Sequence, residues 1–177
     1  MIPINKNTII EFFNELIIKQ DYFECHEIME DVWKDKENFT KTDAEVFIVL
    51  IVTGEYHYRR DNVIGATTSY KRALKLYEDN QYDLSVFGFE DGFINKIERR
   101  YQEIPKKSFV PLQFPVQDWV WEALYNAHEN EFDSFSQFMT TMLANFETNV
   151  QITHRHSMRD RSDVIQKRLE ALNNKVN

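Results

Sequence analysis

A chain of 177 residues with 42% hydrophobic content can bury a substantial core as one domain, without disulfide or repeat scaffolding. Its formal charge of -8 excludes general affinity for nucleic acid, because a polyanion is repelled unless basic residues are segregated to one face. With 14 Phe, 8 Tyr and 3 Trp against only 4 Gly and 4 Pro, composition favours long elements over a turn-rich sandwich and predicts an all-α fold: a compact multi-helix bundle with a C-terminal helical extension.

In chain order, Thr8 and Glu11 have the T-x-x-E capping-box form and predict a first helix to about Lys19, with Ile9, Phe12, Phe13 and Leu16 on one face. Asp21 can cap a second helix from Tyr22 to about Lys34, whose common side carries Tyr22, Cys25, Met29, Val32 and Trp33. The charged stretch Lys34 to Lys41 reads as a loop, and Thr42 with Glu45 repeats the capping box before a third helix. Its apolar run Val46 to Val52 is β-branched, but the cap and the continuation through Glu55 and His57 favour helix; Gly54 would admit a close neighbour. That run is far short of the ~20 residues that span a bilayer, so a soluble protein without membrane contact is expected. Asn62 can cap a fourth helix bearing Ala66, Tyr70, Ala73, Leu74 and Tyr77, with Lys71, Arg72 and Lys75 outside.

Phe89, Phe93, Ile97 and Tyr101 recur every four residues and predict a fifth helix ending near Ile104. Residues 105–117 form an irregular connection, since Pro111 and Pro115 lack donors and bias the residues before them toward extended geometry. Its Phe109, Val110, Leu112 and Phe114 call for burial. Residues 118–177 are the C-terminal helical part. Asp118 is placed as the cap of a helix bearing Trp119, Leu124 and Ala127. Ser134 with Gln137 caps another with the stripe Phe135, Phe138, Met139, Met142, Leu143 and Phe146, and a last, charged helix runs from Ser162 to about Lys175. Trp119 and Trp121 fall on opposite sides of a helix, so one of them is expected to be less buried. The single Cys25, on an apolar face, reads as an inert core thiol, and with no apolar leader the expected setting is the cytoplasm.

Two stretches mix polar and apolar residues at helical spacing. They are DYFECHEIMEDVW, from Asp21 to Trp33, and EYHYRRDNVIGA, from Glu55 to Ala66. Their order of His26, Glu27, Glu30 and Trp33, then His57, Asn62, Gly65 and Ala66, resembles the bacterial and archaeal family known as domain-of-unknown-function family 309. The resemblance covers Asp21 to about Leu76, a nucleus of residues 21–76, and departs from the family pattern where VFIVLIV replaces a glycine and small residues. It implies a compact all-α fold and supplies no activity.

Three readings compete for this cluster. In the leading one, His26, Glu30, Trp33, His57 and Arg60 form a structural polar core: an unpaired buried carboxylate costs several kcal/mol, so Glu30 would be paired from the end of the third helix. The protein is then a non-enzymatic interaction or ligand-binding module that needs no cofactor, with a protein or small ligand as partner. The rival is a divalent metal held by His26, Glu30 and His57, with Glu27 or Glu30 as catalytic carboxylate in a hydrolase or related enzyme. Against it, the zincin motif H-E-x-x-H is absent, because Glu30 stands at its fifth position. Metal-free acid/base chemistry would use a histidine and glutamate pair, with the Glu30 pKa raised between Phe23 and Trp33, but no nucleophile elbow or phosphate loop accompanies it. Separately, His154, Arg155, His156, Arg159 and Arg161 form a basic strip able to bind phosphate or RNA, interrupted by Asp160 and Asp163; a solvated or internally paired face is the favoured reading.

Overall fold

The structure is a computed structural model that describes residues 4–147. Seven α-helices fall within that span: α1 (Lys6–Phe13), α2 (Tyr22–Lys34), α3 (Ala44–Arg59), α4 (Val63–Asn80), α5 (Phe93–Glu103), α6 (Asp118–Ala127) and α7 (Phe135–Glu147). Among the described residues no helix is long and apolar enough to cross a membrane. The predicted helix Ser162 to Lys175 and the basic strip His154 to Arg161 lie outside the described residues.

The first helix starts earlier than its capping-box spelling suggests. Asn5 is the cap, its side chain accepting from Asn7 N, and Thr8 and Glu11 lie inside α1. After Phe13 the helix widens into a π-helical stretch, Asn14–Lys19, that ends at Gln20 in the left-handed region with φ 53°. Wider winding turns Leu16 and Ile17 inward, and Asp21 then caps α2 by accepting from Glu24 N at 3.0 Å.

Helix α3 is the centre of the bundle, packed most extensively against α4 and α2. The β-branched run does form helix, and its all-round apolar character matches burial from Phe47 through Val52 on most sides. The α3–α4 crossing is close at Gly54, where a Cβ would lie 2.4 Å from Tyr70 Cδ2. Asn62 caps α4 by accepting from Gly65 N.

The later elements shift slightly from expectation. Phe89 precedes α5 rather than joining it, in an isolated antiparallel bridge with Val116. Gln117, not Asp118, stands at the N-cap of α6, and the buried face of that helix is Val120, Trp121 and Leu124, leaving Ala127 exposed and Trp119 half-buried. Ser134 Oγ accepts from Gln137 N at 3.1 Å ahead of α7, as the spelling predicts. Between α5 and α6 the chain is irregular and packs Phe109 edge-on against Tyr22 and Tyr58 and buries Phe114.

Candidate functional site

Charge in the interior centres on a residue that periodicity gave no reason to single out. Glu55 is fully buried on α3 and forms a two-pronged ion pair with Arg100 of α5: Nε donates to Oε2 at 3.1 Å and Nη2 to Oε1 at 2.7 Å. The Tyr70 hydroxyl of α4 donates to the same Oε2 at 2.7 Å. Arg100 Nη2 also donates to the Val110 carbonyl, and the Tyr58 hydroxyl donates to the Lys107 carbonyl, so the irregular connection is tied to the core. The Arg100 guanidinium lies over the Tyr58 ring at 4.6 Å. Burial alone would depress the Arg100 pKa, but the facing Glu55 carboxylate holds it high; burial, then Glu55, pushes the Tyr70 phenol well up. The network is compact and satisfied, the condition under which buried charge is tolerated.

The cluster expected to fill that role sits elsewhere. The side chains of His26 and Glu30 are 30% and 29% exposed, and Glu30 is paired along its own helix to Lys34 rather than to α3. The buried face of α2 is Tyr22, Cys25, Ile28 and Met29. With Ile28 counted, that arc is centred near Cys25, and His26, about 100° further round, falls at its edge. Trp33 is half-buried, its indole N–H donating to the Thr40 carbonyl at 2.8 Å. Arg60 donates to the Tyr56 hydroxyl, and His57 Nδ1 lies 3.2 Å from Asn62 Nδ2; neither reaches Glu30. The expected rise in the Glu30 pKa is reversed: its hydrogen bond to Lys34 holds the carboxyl below the usual range against slight burial, and His26 adds to the lowering.

Around His26 the structure gathers three ligating groups. Nδ1 is 3.1 Å from Glu27 Oε1 and 3.6 Å from Glu30 Oε2, and one ligand atom from each of the three residues lies within 4.8 Å of the others. His57, the third ligand in the sequence-based metal set, is not part of this group. It meets His26 instead across a groove of about 150 Å³ between α2 and α3, lined by Tyr22, Phe23, His26, Thr53, Tyr56 and His57. On α2 the groove residues are one turn's neighbours, as are Thr53, Tyr56 and His57 on α3, where Glu55 points to the opposite side. Phe23 stacks on His26 with centroids 6.2 Å apart and leans on Tyr56 at 6.0 Å. Cys25 is buried toward α1, its Sγ 3.8 Å from the Phe12 carbonyl, and burial pushes its thiol well up, which makes it unreactive.

These residues lie within a matched family segment. Residues 10–68 match the family described as domain of unknown function (DUF309), so the resemblance carried by the two polar blocks holds over α1 to the start of α4. The chain is also 26% identical over 161 residues, covering 90% of each chain, to an uncharacterized protein, YpuF, of Bacillus subtilis (strain 168). No solved structure matches the chain.

Proposed function

We propose that the protein is a ligand-binding module, non-enzymatic in the reading we favour, whose site is the α2–α3 groove. One observation carries this: the family-like histidines His26 and His57 meet at an aromatic groove walled by Tyr22, Phe23 and Tyr56, while Glu55 and Arg100 supply the buried ion pair. A concave apolar site with few polar groups is the usual form of a small-molecule pocket. Its size suits a group of about one aromatic ring, since a cavity near 150 Å³ accepts benzene. The test is a fragment titration of the full chain followed by amide and imidazole NMR shifts. One-ring compounds should move Thr53, His26 and His57 together, and Thr53→Leu, which fills the groove from within α3, should abolish the response. Absence of any groove-centred response overturns the proposal.

The approach of His26, Glu27 and Glu30 favours a second reading, in which the three hold a divalent cation through His26 Nδ1 and two carboxylate oxygens. Glu30 faces His26 with Oε2, while Lys34 pairs with its other oxygen, Oε1. Stoichiometric binding of Zn²⁺ or Mn²⁺ by calorimetry, lost in Glu27→Gln, would support this reading; no binding at 1:1 would remove it.

A further inference from the structure

We propose that the groove takes a quaternary ammonium group, held by its aromatic walls; this rests on the groove being the binding site. Five of its six lining residues carry rings, Tyr22, Phe23, His26, Tyr56 and His57, and Thr53 is the sixth. The rings are set at different angles. Phe23 stacks on His26 with 23° between their planes, Tyr56 is tilted from Phe23 by 54°, and His57 stands at 66° to Tyr56. Walls inclined in this way can meet a compact, round group from several directions, and a trimethylammonium head has about the bulk of the ring that the groove admits.

The polar tips of the lining are engaged elsewhere. Thr53 Oγ1 donates to the Val49 carbonyl of its own helix at 2.7 Å, and the Tyr56 hydroxyl accepts from Arg60 at 2.7 Å, so the groove surface is almost wholly apolar. A primary ammonium or a neutral amide entering such a site gives up its hydrogen bonds to water without replacement. A quaternary nitrogen has no N–H to satisfy, and its charge is spread over methyl groups that pack on ring faces, where the quadrupole attracts a cation. Two of the same rings already carry cations of the protein: the Arg59 guanidinium lies 4.7 Å from the centre of Tyr22 and that of Arg60 5.2 Å from the centre of Tyr56, and neither arginine lines the groove. Around the exposed rim the charges balance. Glu27 and Glu30 lie beside His26, Lys34 is paired to Glu30, and Arg60 is bonded to Tyr56. With that rim near neutral, the ring faces decide the sign of the ligand, and they favour a cation over an anion.

The experiment titrates the full chain with three probes and follows the NMR shifts of Thr53, His26 and His57. The probes are choline, ethanolamine and dimethylbutanol, the neutral isostere of choline in which a tert-butyl group replaces the trimethylammonium. Choline should move the three signals together and bind roughly tenfold more tightly than either of the others. Phe23→Leu keeps an apolar wall but removes a ring face. It should weaken choline roughly threefold more than it weakens dimethylbutanol, with helical circular dichroism unchanged. The comparison of probes on the parent chain stands whether or not that variant folds. Choline no tighter than dimethylbutanol shows that shape alone is read, and choline no tighter than ethanolamine that charge alone attracts; either result overturns the inference and leaves the groove as a site. If neither these probes nor any one-ring compound moves the groove signals, the reading of the groove fails and the inference with it.

Discussion

Glu55 and Arg100 are the residues on which the interior depends electrostatically. Removing one partner leaves the other charge buried without compensation, so Glu55→Gln should cost about 3 kcal/mol of unfolding free energy, read from urea melts. Glu30 is a smaller case with a defined sign. Its folded pKa is lowered by Lys34, so the pair contributes stability above the unfolded glutamate value of about 4.3 and loses it as pH falls through the lower folded value. Carboxyl ¹³C titration should place Glu30 below ordinary glutamates, and Lys34→Ala should move it upward. The sequence made Glu30 the buried carboxylate because Phe23 and Trp33 flank it by bearing. Helical bearings assign a side but not the centre of the buried arc, and Ile28 moves that centre away from His26 and Glu30. Glu55 was indistinguishable from any charged residue near a helix end, because its partners Tyr70 and Arg100 lie 15 and 45 residues away.

Among the elements, caps and apolar stripes were the legible features. Asp21, Asn62 and Ser134 each accept from the backbone N–H three residues on, as local chemistry predicts. What local chemistry missed was competition: Asn5 takes the cap from Thr8, and the π-helical stretch after Phe13 follows no periodicity that a 3.6-residue pattern would register. The α3–α4 contact shows the same limit for glycine. Propensity favours Gly54→Ala by about 1 kcal/mol, but the new Cβ would meet the Tyr70 ring at 2.4 Å. Since Tyr70 is fully buried and bonded to Glu55, it has little room to move. Gly54→Ala should therefore be destabilising by about 1–3 kcal/mol in chemical denaturation, opposite in sign to the propensity effect.

At the scale of the whole molecule, α3 divides two tasks between its sides. One side carries Glu55 and Tyr58 toward α4, α5 and the irregular connection; the other carries Thr53, Tyr56 and His57 toward α2. This division gives the buried ion pair to the side of α3 that faces α4 and α5, and sets His26 and His57 at the groove of the proposed function. Urea unfolding of His26→Ala beside Glu55→Gln tests it most directly. His26→Ala should remain within about 1 kcal/mol of the parent chain, as for a half-exposed side chain, while Glu55→Gln loses about 3 kcal/mol. A loss in His26→Ala as large as that in Glu55→Gln would contradict the division, and with it the account of the groove.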